Sequence, residues 1–339
     1  MSKKLTLSVL DQSPIINGHT AAQAIAETIR LAKRADELGY SRYWMAEHHS
    51  LTALADPCPE MLAVRVAAET KHLRVGTGGV LLPHYSPFKV AEQFRMLEAL
   101  YPGRIDLGIG RAPGGDQTTA MAMGQGHYSH AENFPEQVQY LVGYLDGSLP
   151  PGHPFARVKV MPEGPTAPEV WLLGSSDYSG ALAAQLGLRF AFAHFISAQG
   201  GDAVMHAYKA RFQASAREAA PHALLCVFVI VADTAAEAER LTGSICLRRL
   251  NTDYGKNAPV PNHDDVANFR PDEQQKSRLV HHRRRIVAGD PAGVAEQLAG
   301  LAGEYEADEL MVLTITGDYE TRLASYEMLA KACGLESRA

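Results

Sequence analysis

A chain of 339 residues, 46% hydrophobic and 21% charged, has the balance of an ordinary globular protein with one large domain or two modest ones. Its formal net charge of −6 gives no reason to expect nucleic acid or an anionic membrane surface as a partner. Cys58, Cys226, Cys246 and Cys333 are scattered without a C-x-x-C pair, no apolar run approaches the roughly 20 residues of a membrane span, and the residues before Asp11 are too few for a signal-peptide core; a cytoplasmic protein is expected.

Strand spacing opens the chain at residues 5–10 and ends in Asp11-Gln12-Ser13-Pro14. Residues 20–38 carry apolar positions on one helical side, with Thr20 as cap and Gly39 as stop. A short second strand at 43–46 leads into Glu47-His48-His49, and a helix is expected at 59–70. The third strand, 73–80, is interrupted by Gly76, Gly78 and Gly79, and a helix at 87–100 stops at Pro102-Gly103. The fourth strand starts at Ile105 and runs into Gly108-Ile109-Gly110-Arg111.

A long connection, 112–131, precedes a helix at 133–145 and an irregular Pro/Gly stretch at 147–168. Strands at 170–173, 190–193 and 224–231 then alternate with helices at 178–186, 201–214 and 234–250. Residues 251–285 are polar and too long for an ordinary connection, so they are expected to form an insertion, either a lid over the site or a disordered segment. Arg283 to Arg285, after His281 and His282, are the one marked basic run and read as a solvated helix end. A helix at 291–301, a strand at 309–314 and a helix at 319–333 close the chain. Eight strands alternating with helices predict an α/β fold, a single-domain (β/α)₈ TIM barrel with an insertion before the last strand.

The site of such a barrel lies at the C-terminal strand ends. Those ends carry Asp11-Gln12-Ser13, Glu47-His48-His49, Gly76-Thr77-Gly78-Gly79, Arg111 among glycines, Gly174-Ser175-Ser176 and Ala193-His194. Arg111 brings a fixed fork of donors, and the 174–179 turn brings hydroxyls and free N–H groups at a helix start, a pairing suited to an anion. An ordinary N-cap by Ser176 or Asp177 is the plainer alternative for that turn. The glycines at 78–79 form either a bulge or a side-chain-free platform for an aromatic ring. Glu47, His48 and His49 alternate in facing, which speaks against one shared metal ion and leaves hydrogen bonding or acid–base work by His48. No G-x-S-x-G, P-loop, H-E-x-x-H or G-x-G-x-x-G after the first strand occurs.

Four ordered segments resemble the bacterial-luciferase-like, flavin-dependent monooxygenase family: residues 43–49 (YWMAEHH), 76–84 (GTGGVLLPH), 103–111 (GRIDLGIGR) and 171–176 (WLLGSS). The Gly289-Asp290-Pro291 helix start also fits, and the likeness is closest to the stand-alone luciferase-like oxidoreductases of bacteria. The resemblance implies a TIM barrel holding FMN at its mouth, with Arg111, Ser175, Ser176 and Ser179 on the flavin phosphate. It further implies a cis peptide at Gly78–Gly79 beneath the flavin ring and a catalytic His48. Gly110 stands where luciferase has a cysteine, which argues against long-chain aldehyde bioluminescence. The implied activity is oxygenation of a small organic substrate by reduced FMN and O₂, with the flavin supplied by a separate reductase and the enzyme a homodimer. An F420-dependent hydride-transfer enzyme on the same fold and a flavin-binding protein without turnover are the alternatives.

Overall fold

The computed structural model describes residues 5–124 and 131–338. The strands are β1 (Leu7–Asp11), β2 (Arg42–Met45), β3 (Arg74–Leu81), β4 (Ile105–Gly110), β5 (Glu169–Gly174), β6 (Arg189–Ala193), β7 (Ala223–Val231), β8 (Ile286–Gly289) and β9 (Glu309–Leu313). All pairings among them are parallel, and β1 to β7 followed by β9 close into an eight-stranded barrel. The expected (β/α)₈ architecture is therefore the observed one, and each expected strand lies within two residues of its place.

β8 was not anticipated. β7 is nine residues long, and β6 pairs only with its first half, up to Ala193 opposite Cys226. The edge left free beyond that point is taken by β8, with Phe228 opposite Ile286 and Val231 opposite Gly289. A four-residue strand following a polar stretch carries too little periodicity to stand out in the sequence.

β7 shows why its sequence is an unbroken apolar run. Leu225, Val227, Val229 and Val231 face the surrounding helices, whereas Leu224, Cys226, Phe228 and Ile230 face the barrel interior. The first helix, Ala21–Leu38, forms as its sequence dictates: Thr20 and Gln23 make a reciprocal capping box, and Gly39 at φ 89° ends it in the left-handed region.

The 251–285 insertion is ordered secondary structure on the rim, so the disordered alternative is corrected. It continues the helix Ala235–Asp253 into the helices His263–Asn268 and Glu273–Arg283, the last two each started by a capping box. Val260, fully buried, bridges to Ile16, and Asn257 bonds Thr52 and Ser50, which fastens the insertion to the loops after β1 and β2. A further short helix, Gln117–Met123, stands in the long connection after β4, and residues 125–130 of that connection lie outside the described residues. No described helix is long and apolar enough to cross a membrane.

Strand starts close the barrel at its other end with charge. Register places Arg42 beside Arg74 and Asp106 beside Glu169, like against like, and the network resolves this crosswise. Arg42 donates to Asp106 at 2.8 Å, Glu169 at 2.9 Å and Glu309 at 3.0 Å; Arg74 donates to Asp106 at 2.8 Å and Arg189 to Glu169 at 2.6 Å. Ser8 donates to the other oxygen of Glu309, and the surrounding cations and hydroxyl hold that carboxyl below its ordinary range despite burial. Gly76 makes room for this plug: a Cβ there would stand 2.6 Å from Asp106 Cβ.

Removing one partner of a buried ion pair leaves the other uncompensated, at a cost of about 3–5 kcal/mol. Arg42→Met is expected to destabilise the fold by that amount, read from urea-unfolding midpoints, whereas a loss near that of an exposed pair, under about 1 kcal/mol, would mean that water screens the plug.

Candidate functional site

The opposite end of the barrel is open. There the C-terminal strand ends enclose a cavity of about 300 Å³, lined mostly by apolar groups. Its floor includes Leu10, Trp44 and Met311, and it is walled by the loops after β2, β3, β4, β5 and β6.

Arg111, Ser175, Ser176 and Ser179 all line this cavity, brought together because β4 and β5 are neighbours in the barrel. Arg111 is exposed at the rim, its guanidinium carbon 4.4 Å from the centre of the Tyr178 ring. That stacking orients the fork, and no described residue takes up its donors, which leaves them to an anion. Ser176 occupies the N-cap position of the helix Asp177–Leu186, yet its side chain caps no N–H. Its hydroxyl instead faces Ser179 Oγ at 3.5 Å. The ordinary N-cap alternative is thus not what the turn forms, and its hydroxyls remain available. A Cβ at Gly174 would overlap Ser179, so glycine there lets the first helical turn fold back onto the strand end.

Gly78 and Gly79 also line the cavity, in an irregularity of the β3–β4 register between Thr77 and Val80. The peptide between them is cis. Added Cβ atoms would meet Leu10 Cδ1 at 2.6 Å from Gly78, and Gly108 O and Leu173 Cδ1 at 2.6 Å from Gly79. At Gly79 the contact is with backbone and only glycine fits, whereas a side chain at Gly78 would have to displace Leu10. The bulge and the side-chain-free surface are one feature.

The Glu47-His48-His49 triplet divides. Glu47, buried, accepts from His49 Nε2 at 2.8 Å, Tyr85 Oη at 2.7 Å and the Leu81 amide at 3.0 Å, latching the end of β2 to the end of β3. His48 turns the other way, into the cavity wall, with its Nδ1 3.0 Å from Asp56 Oδ2. Asp56 is fully buried and its second oxygen has no partner among the described residues. With Nδ1 so engaged, Nε2 is the ring nitrogen available to a molecule in the cavity.

Not every strand-end residue joins the site. Asp11 is a structural anion, bonded to Arg322 at 2.6 Å and Tyr43 Oη at 2.5 Å, while Gln12 beside it lines the cavity. His194 packs its ring 5.6 Å from Tyr305, outside the lining. Asp56, Tyr178, Phe195, Ile196 and Cys226 were missed. Asp56 follows an irregular loop without periodicity, and Phe195 and Ile196 carry no motif. The signal for Tyr178 was its place in the first turn of a helix beside the serines, and Cys226 was legible as an inward position of β7.

The family described as luciferase-like monooxygenase matches residues 6–305. The N-acetyl-S-alkylcysteine monooxygenase of Bacillus subtilis (strain 168) is 35% identical over 331 residues, 97% of this chain and 98% of that one. Among solved structures, apo-MsnO8 superposes with a TM-score of 0.89 at 38% identity, covering 100% of both chains. The oxygenating constituent of 3,6-diketocamphane monooxygenase from Pseudomonas putida, solved in complex with FMN, shares the fold with a TM-score of 0.69 at 19% identity, covering 97% of each chain.

Burial pushes the Asp56 carboxyl up from 3.8 to about 6, against the opposing pull of His48. The folded chain therefore binds this proton more tightly than the unfolded one, which favours folding below about pH 4 and is lost as pH rises through about 6. Such a shift corresponds to about 3 kcal/mol. Asp56→Asn is expected to gain stability relative to the parent between pH 4 and pH 7, measured by urea unfolding at both; parallel profiles would show that Asp56 does not titrate in this range.

Proposed function

The chain belongs to the luciferase-like monooxygenase family, and from that premise we propose that it is a flavin-dependent monooxygenase using reduced FMN and O₂ to oxygenate a small organic substrate. One juxtaposition carries the reading: an arginine with no carboxylate partner among the described residues, three hydroxyls, a side-chain-free glycine surface and a histidine share a single cavity. These residues fit FMN. Arg111 with Ser175, Ser176 and Ser179 would hold the phosphate, and Gly78–Gly79 would lie beneath the flat ring.

Reduced flavin, when bound, supplies the two electrons with which one atom of O₂ enters the substrate and the other leaves as water. The chain's own residues position and seal. Leu10, Trp44, Leu173 and Met311 exclude water from the interior. His48 is assigned the proton transfer, at Nε2, with Asp56 holding Nδ1 and thereby the ring's orientation. The 251–285 insertion is assigned the role of a cover, supported by its anchorage on the rim. A separate reductase is proposed to deliver the reduced flavin. The F420 alternative rests on fold alone: an F420-dependent secondary alcohol dehydrogenase superposes with a TM-score of 0.71 at 11% identity. Binding titrations with FMN and with F420 separate the two readings.

Three variants divide binding, chemistry and sealing. A charge-assisted hydrogen bond contributes about 1.5–3 kcal/mol, so Arg111→Ala is expected to weaken FMN binding about ten- to a hundredfold. His48→Ala is expected to keep FMN affinity and lose oxygenated product. Replacing residues 255–284 by a Gly/Ser linker is expected to keep FMN and raise the hydrogen peroxide released per O₂ consumed. Unchanged affinity in the first, unchanged turnover in the second or an unchanged leak in the third removes the corresponding assignment.

A homodimer is proposed through the helices Pro59–Glu69 and Pro87–Leu100, which expose Met61, Val64, Met96 and Leu100 side by side with Met161. Sedimentation at low micromolar concentration is expected to give the mass of two chains, and a monomer mass overturns the assembly.

A further inference from the structure

A second cationic group stands beside the cavity wall, away from Arg111. Arg248 and Arg249 come from the helix Ala235–Asp253 that follows β7, and Arg285 from the residue before β8. The buried face of that helix packs into the interior cluster through Leu241, Ile245 and Cys246. Each arginine then touches, or acts electrostatically on, a residue of the cavity wall or one directly behind it. Arg249 places its guanidinium carbon 5.0 Å from the ring of Phe228, which follows Leu224 and Cys226 in the inward row of β7. Arg285 Nη1 donates to the carbonyl of Ile196, a lining residue, at 3.2 Å. Arg248 interacts electrostatically with Asp56, the partner of His48.

These three cations differ from the other inward arginines. Arg42 and Arg322, both buried, face carboxylates at 2.8 Å and 2.6 Å. Among the described residues, no carboxylate lies within 4.0 Å of Arg248, Arg249 or Arg285. Their bonds go to neutral acceptors: Arg249 to the His282 carbonyl at 3.2 Å, and Arg285 to the Ile196 carbonyl and to His282 Nδ1 at 2.8 Å. The nearby Asp253 is held by Arg278 and by His282 Nε2 at 2.8 Å. The Nε groups of both Arg248 and Arg285 are buried without a partner among the described residues. Burial, reinforced by the positive charge of Arg285 and Arg248, pulls the Arg249 guanidinium down to about 10. Three like charges with unused donors in a partly desolvated setting are stabilised by an anion that reaches them.

We propose that Arg248, Arg249 and Arg285 form an oxyanion subsite, and that the substrate of this enzyme is an amphipathic organic acid. Its carboxylate or sulfonate lies on the arginines while its apolar, reacting portion extends over the apolar floor towards His48. Planar guanidinium forks match both headgroups in bidentate geometry. The word substrate rests on the oxygenase reading, whereas the subsite itself does not.

Calorimetric titration of the full chain with octanoate, octane-1-sulfonate and the neutral isostere octanamide tests this, with FMN affinity measured on the same preparations. Both oxyanions are expected to bind at least about tenfold more tightly than octanamide, the factor of one charge-assisted contact. The preference is expected to survive Arg111→Met. It is expected to fall below about twofold in Arg249→Met and in the double variant Arg248→Met/Arg285→Met, with octanamide affinity and melting temperature retained. The comparison of acid with amide in the unmutated chain needs no variant to fold. Equal binding of acid and amide there overturns the proposal and leaves the arginines as a staple between the insertion and the β6 loop. A preference that disappears with Arg111→Met overturns it too, because the anion then sits with the serines. Absence of FMN binding beside an intact oxyanion preference would sink the flavin reading while leaving the subsite standing.

Discussion

The buried charge network at the strand starts is the constraint on which the site depends. Arg42, Asp106, Glu169 and Glu309 come from four different strands and meet within hydrogen-bonding distance below the barrel interior. Trp44 donates its indole N–H to Asp106 at 2.9 Å, and Arg42 and Arg189 lie against the Trp171 ring at 4.9 and 5.4 Å. Trp44 and Trp171 meet edge to face at 5.2 Å. The plug thus carries the two indoles, and the upper one floors the cavity. A barrel closed from below by ions and rings can be entered only from above, so any chemistry is confined to the C-terminal mouth.

The two ends use arginine in opposite ways. At the plug each guanidinium is paired with carboxylates, which neutralise its charge. At the mouth Arg111 rests on an aromatic face, and beside the cavity Arg249 and Arg285 rest on an aromatic face and neutral acceptors. Rings and carbonyls position a cation without neutralising it, and the mouth therefore keeps positive charge in a chain whose net charge is −6. The proposed FMN phosphate and the proposed anionic substrate would draw on that charge at separate places.

Glu47 illustrates how the scaffold serves the site indirectly. By accepting from His49, Tyr85 and the Leu81 amide it joins β2 to β3 immediately beside the Gly78–Gly79 surface. His48, freed from that latch, points into the cavity wall and pairs with Asp56. Adjacent residues in one short motif thus serve a structural latch and line the cavity, because extended backbone sends successive side chains to opposite sides.

Alternation and caps alone determined the eight barrel strands, the principal helices and the order in which they follow one another, since period and helix stops are local properties of the chain. The glycine surface, Arg111 and the serine turn were legible too, as they sit at strand ends that any parallel barrel gathers at one mouth. Tertiary structure decided the rest. β8 exists because β7 outruns β6, a fact about two strand lengths in register rather than about residues 286–289. The polar 251–285 stretch is ordered because Val260 and Asn257 find partners more than two hundred residues away at the β1 and β2 loops. Asp56 and Arg248 carry no local signal; proximity to His48 gives them their place. In the basic run Arg283 pairs with Glu239 outside while Arg285 turns to the mouth, a distinction set by the helix end and the strand that follows it. Charge and polarity are written in sequence, but which charges are compensated depends on what the fold brings opposite them.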